Sequence, residues 1–231
     1  MALRIAYDLS AHRLVTEAPM RAALPRLRRA GVGTLYLFGY FYGHFESSED
    51  EMAQAFRILR EEGFDAGAIH LPCGHGGNAL DPRDPTLRLA IGKDWQMRGS
   101  ADGRLSPEAA CIDDVMTADN RRANDILWEM GCRRIFYDDD LRLGLWGSEM
   151  RGCFCPRCME RFSARAGRAV SRAELLDERN GSLRAAWMDF QCEKIPRFLR
   201  AAVPAGMQSG IMVMHNGDRR HGIDIPAIRA A

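Results

Sequence analysis

The 231-residue chain predicts an α/β fold of the (β/α)8 barrel type, with about five β/α units visible. Short apolar runs alternate with helical stretches about five times, the order expected of a parallel sheet with helices outside it. The runs are uninterrupted, as strands covered on both faces are. No Gly-x-Gly-x-x-Gly follows the first run, which disfavours a dinucleotide-binding sheet. Gly74-His-Gly-Gly77 lacks the Gly-Lys-Ser/Thr of a phosphate loop.

The elements follow in order. Leu3, Ile5 and Ala6 open a first strand that ends near Asp8. Thr16 to Ala30 reads as a helix stopped by Gly31-Val-Gly33, and Thr34 to Tyr40 as a second strand. Ser47-Ser-Glu-Asp50 supplies oxygens to cap a helix that runs to Glu62 and stops at Gly63. Ala66 to Leu71 is a third strand. The stretch from Pro72 to Pro107, rich in Gly, Pro and Asp, reads as a long functional loop. A helix is expected from Glu108 to Met130, a fourth strand over Arg134 to Tyr137, and helices over Pro156 to Ala166 and Leu183 to Ala202. Gly210 to His215 is a fifth strand, and Asp224 to Arg229 begins another helix. Three strands of an eight-stranded barrel have no counterpart. Residues 1–231 are therefore expected to form a single barrel domain truncated at its C-terminus, or a half-barrel that pairs with a copy of itself.

Composition narrows the function classes. Hydrophobic residues make up 46% and charged residues 27%, and the net charge is +1, so no global field points to nucleic acid. The paired arginines, such as Arg28-Arg29 and Arg219-Arg220, are scattered and read as solvated faces. No apolar run approaches the ~18 residues that cross a bilayer. The first residues read as a strand rather than a secretion signal, and seven cysteines is an odd number. Reduced thiols, metal ligation and a cytoplasmic setting are the expectation.

Two clusters carry the chemistry. Cys153-Phe-Cys155-Pro-Arg-Cys158 can bring three thiolates to one ion within a loop spanning about 140–160, and zinc favours four such ligands in a tetrahedron. Cys111, at the start of the helix that leads to the fourth strand, is the first candidate for the fourth ligand, and Cys73 the second. Cys132 and Cys192 read as buried small residues. The other cluster is Asp138-Asp139-Asp140, at the C-terminal end of the fourth strand, where an α/β barrel puts its chemistry. Adjacent carboxylates raise one another's pKa, which suits a general acid. The remaining strand ends carry Asp8, Tyr40, Tyr42, His44, His70, His75, His215 and Asn216. Rings that stack on sugar faces and polar groups that bind hydroxyls make a carbohydrate site of that edge.

The run Gly152-Cys-Phe-Cys-Pro-Arg-Cys158, with Phe162, the upstream Cys111 and the later Trp187-Met-Asp-Phe190, resembles the β-galactosidases of glycoside hydrolase family 42. The resemblance spans roughly Cys111 to Phe190. It implies a structural zinc held by Cys111, Cys153, Cys155 and Cys158. It also implies a glycosidase whose acid/base ends the fourth strand. Asp139-Asp140 stands where that family has Asn-Glu, which makes Asp140 the acid/base. The family's nucleophile lies on a seventh strand, which has no counterpart here. Two other readings follow from the residues. One is a carbohydrate- or partner-binding barrel without a catalytic pair. The other is a metal-dependent sugar isomerase or hydrolase using His70, His75 and the acids.

Overall fold

A computed structural model describes residues 5–41, 43–73, 94–138, 141–143, 152–213 and 219–231. Strands β1 (Ile5–Leu9), β2 (Val32–Phe41), β4 (Asp65–Leu71), β7 (Arg134–Tyr137) and β8 (Gln208–Ile211) form one sheet in that order. Every neighbouring pair among the five is parallel. The short strand β3 (His44–Phe45) turns back antiparallel on β2. Strand order equals chain order and never reverses. That is the wrap of a barrel wall, whereas a doubly wound sheet would switch direction. Among the described residues the sheet does not close, so the fold is α/β of the barrel type in open form.

Alternation along the strands sorts the side chains. Leu35, Leu37, Ala68, His70, Ile135 and Tyr137 are buried. They join a core with Met52, Phe56 and Leu59 of α3 (Glu49–Glu61), Met116, Ala123 and Leu127 of α4 (Asp114–Glu129), and Ile195 and Phe198 of α8 (Lys194–Ala202). The intervening residues Tyr36, Phe38, Ile69 and Phe136 are only half-buried. Tyr36 and Phe136 meet at 5.9 Å across Gly67, whose missing side chain leaves room for the Tyr36 ring. These residues form the second face of the sheet, which in a closed barrel would be its interior.

Several boundaries differ from expectation. The helix expected over Thr16 to Ala30 is α2 (Ala18–Arg29), and a short helix not expected from the sequence, α1 (Ala11–Thr16), precedes it. Pro19 sits in the first turn of α2, where its missing N–H costs nothing. The helix expected from Leu183 to Ala202 is two, α7 (Gly181–Cys192) and α8. Pro196 cannot donate to the carbonyl of Cys192, and the break falls at Glu193. Within the stretch read as loop, β5 (Met97–Gly99) and β6 (Leu105–Ala110) form an antiparallel hairpin. Because β6 occupies the start of the helix expected from Glu108, α4 begins only at Asp114, with Asp113 as its cap. The chain also holds α5 (Pro156–Ala166), a short α6 (Arg172–Leu176) and α9 (Ile225–Arg229).

Candidate metal centre

Cys111 follows β6 directly. Its N–H donates to Gln96 O at 2.7 Å, and that of Ala110 to Cys73 O at 2.7 Å, so the hairpin fixes the approach to α4. Cys153 lies on the other side of the same hairpin. Gly99 N–H points at Cys153 Sγ at 3.4 Å, and Phe154 N–H donates to Gly99 O at 2.8 Å. Gln191 of α7 holds the loop from beneath: Cys153 N–H donates to its Oε1 at 3.2 Å and its Nε2 donates to Cys153 O at 3.4 Å. Cys155 caps α5, with Pro156 in the first turn, and Cys158 follows within that turn. Phe154, Phe162 and Phe190 pack around the buried Trp187, with ring centroids 4.9, 5.0 and 5.6 Å away.

These supports bring the sulfurs of Cys111, Cys153, Cys155 and Cys158 to within 4.8 Å of one another, all buried. Cys111 and Cys158 are 3.3 Å apart, and Cys155 and Cys158 3.4 Å. Four sulfurs at 2.3 Å from a central zinc would lie about 3.8 Å from one another. The donor set and spacing therefore fit one ion taking four thiolates, with α5's N-terminus favouring negative charge there. Cys73, the alternative fourth ligand, stays outside the group. Its sulfur accepts from the buried Arg98 Nη2 at 3.6 Å.

The thiols do not titrate alike. Hydrogen bonding with Cys111 holds Cys158 below the usual thiol range. Burial opposes ionisation at Cys153, but hydrogen bonds from Cys111, Cys155 and Cys158 outweigh it and leave that thiol lowered. Cys111 is raised by its hydrogen bonds to the other three and by burial. Lys194, the first residue of α8, reaches the group: its Nζ is 2.8 Å from Cys158 Sγ and 3.9 Å from Cys111 Sγ. Burial pulls its ammonium down, but its electrostatic interaction with the cysteine group leaves its pKa raised. Sequence reasoning missed Lys194, Gly99 and Gln191. The signal for Lys194 was there, since it and Lys93 are the only lysines among 32 Lys+Arg.

Beside Cys111 and Cys158 opens a cavity of about 390 Å³ between α4, α5 and α8, with Phe190, Phe198 and Arg197 in its wall.

The strand-end residues are placed as follows. Tyr42, His75, Asp139, Asp140, His215 and Asn216 lie outside the described residues. Asp8 is exposed near the end of β1, His44 is exposed on β3, and Asp138 is half-buried after β7, its N–H donating to His70 O at 3.0 Å. Tyr40 is buried, and its hydroxyl donates to Asp119 Oδ2 of α4 at 2.5 Å. The β2–β4 register shifts between Phe38 and Phe41, and a bulge of this kind re-aims a side chain. His70 is fully buried against Gly39, with the Tyr40 and Tyr137 rings 6.4 and 5.8 Å away and no partner on either ring nitrogen. Burial alone pulls its pKa down to about 3. Tyr40 and His70 thus sit in the sheet–helix layer, and Asp8 and Asp138 at the accessible edge.

No family model matches the chain, and no curated protein matches it. Among the described residues no helix is long and apolar enough to cross a membrane. Solved structures similar to it include a cycloalternan-degrading enzyme from Trueperella pyogenes, 13% identical with a TM-score of 0.40 over 89% of this chain and 32% of that one. Another is D-allulose 3-epimerase from Methylomonas sp. in complex with D-allulose, 14% identical with a TM-score of 0.37 over 93% of this chain and 53% of that one. The chain thus spans about a third and about half of the two structures.

Proposed function

We propose that this chain is a carbohydrate-acting barrel protein of glycoside hydrolase type, with a structural zinc held by Cys111, Cys153, Cys155 and Cys158. The observation that carries the reading is the convergence of those four buried sulfurs, the same four that the family 42 resemblance singles out. Zinc is the ion of choice because the donors are all sulfur and the group is closed around itself. The parallel sheet in chain order supports the rest, since its strands all end at one edge and Asp138 follows β7 there. In this reading Asp140 gives its proton to the leaving oxygen, Asp138 and Asp139 keep it protonated near neutral pH, and Asp8 binds sugar hydroxyls.

Two measurements test it. Freshly purified protein should carry about one zinc per chain, and its absence would remove the metal. In a form of the protein that hydrolyses an aryl glycoside, Asp140→Asn should slow turnover by roughly 10²–10⁴-fold. Unchanged turnover would remove Asp140 as the acid. Sugar binding without hydrolysis by any form would favour the non-catalytic reading.

A further inference from the structure

We infer that Lys194 is the positioning residue of the metal centre, a compact cation that offsets thiolate charge and ties α8 to the cysteine group. The inference rests on the zinc reading above and goes beyond the four ligands. Four thiolates around one divalent ion keep a net charge of about −2, and burying such a charge without a partner is costly. The ammonium lies 2.8 Å from Cys158 Sγ and 3.9 Å from Cys111 Sγ. Its position is fixed twice over: it opens α8 just before Pro196, and its Nζ sits 5.3 Å from the centroid of the Phe190 ring. Among the described hydrogen bonds to these four sulfurs, Lys194 supplies the cationic donor, and the backbone N–H of Gly99 approaches Cys153 Sγ at 3.4 Å.

The residue type supports the assignment. This chain uses arginine almost everywhere a cation is needed, and lysine only at positions 93 and 194. Arginine's planar fork suits carboxylates, and the arginines around the centre do pair with carboxylates: Arg157 with Asp113 at 2.7 Å, Arg161 with Asp114 at 2.6 Å and Arg165 with Glu193 at 2.7 Å. Lysine's ammonium is a point charge on a flexible stem, which can bring a single cationic head to a buried sulfur. The group would then join three helix starts. Cys111 precedes α4, Cys155 caps α5 and Lys194 opens α8.

The test compares wild type, Lys194→Met and Lys194→Arg, with zinc affinity read by chelator competition and the site read by cobalt(II) absorption. Lys194→Met should bind zinc about 10–100-fold more weakly. Its thiolate-to-cobalt charge-transfer band should move to lower energy, because a thiolate that loses a hydrogen bond gives up its electron more easily. Lys194→Arg, which keeps the charge, should recover at least part of the affinity. Equal affinity in wild type and Lys194→Met, or an Arg variant no better than Met, would overturn the charge role. Wild type that binds no metal would instead sink the zinc reading itself. If the Met variant does not fold, amine labelling of the wild type decides. Lys194 should be shielded in the zinc form and labelled at least tenfold faster after chelation, and equal rates would overturn the proposal.

Discussion

Gly99 is a position where one atom decides the site. Its backbone runs so close to the cysteine loop that an added Cβ would meet Phe154 C at 2.6 Å and press on Cys155 N. Both neighbours are backbone and cannot swing aside. Gly99→Ala should therefore cost about 1–3 kcal/mol, as overpacking does, and weaken zinc retention with it. A denaturant midpoint equal to wild type would show that the loop yields. His70 makes a different prediction. Its folded pKa lies at about 3 and the unfolded value near 6.5, so between those values the unfolded chain binds the proton and the folded chain does not. The stability is intact above pH 6.5 and is lost as pH falls through the window, by up to about 1.4 kcal/mol per pH unit. Acid also releases thiolate-bound metal, so the comparison is with His70→Leu, which should have a shallower pH dependence of its midpoint between pH 7.5 and 5. Parallel curves would count against the burial account. At this scale the sequence was partly legible. The Cys-x-Cys-x2-Cys spacing and the upstream Cys111 could be read because metal ligands recur at fixed intervals. The burial of His70 could not, since a histidine ending a strand looks the same whether it faces the helices or the open edge.

The elements lean on shared groups at their ends. Asp113 caps α4 through Oδ1, which accepts from Met116 N–H at 3.0 Å, while its Oδ2 accepts from Arg157 of α5 at 2.7 Å. One buried carboxylate thus joins two helix starts beside the cysteine group. Asp113→Ala should cost about 1–2 kcal/mol for the cap, with a smaller addition for the lost pair to the part-exposed Arg157. Asp113→Asn keeps a cap oxygen and should fall between that variant and wild type. Urea midpoints check this: an Asn variant equal to wild type would mean the Arg157 charge pair contributes nothing, and one equal to the Ala variant would mean the cap contributes nothing. The existence of the strands and long helices was legible, because periodicity and stop residues survive in the sequence. The β5–β6 hairpin was not. Its Gly, Pro and Asp content reads as loop, and the contact that Gly99 of β5 makes with Cys153 comes from 54 residues further along the chain, out of reach of a local pattern. α6 carried a readable sign, the Ser171–Glu174 capping box.

Among the described residues, helices cover the sheet on one side. The other side offers Tyr36, Phe38, Ile69 and Phe136, half-buried and largely apolar. Among the described residues β1 pairs only with β2 and β8 only with β7, so both edges carry unpaired backbone groups. Large apolar side chains stand exposed at those edges: Ile5 and Tyr7 on β1, Met212 and Val213 just past β8. An edge of this kind is a template for another strand, and the usual protections, a lysine or a proline on the edge, are missing from these positions. A parallel wall whose two edges both remain open can meet a second copy around a common axis, β1 of one copy against β8 of the other, which would also enclose the apolar face. Self-association that grows with concentration is therefore expected, measured by light scattering on the column eluate. Tyr7→Lys with Val213→Lys should shift the population toward monomer without changing zinc content, because both positions are exposed at the sheet edges, away from the cysteine group. A wild-type chain that stays a monodisperse monomer up to high concentration would show that the edges are protected, and would remove the copy-to-copy closure.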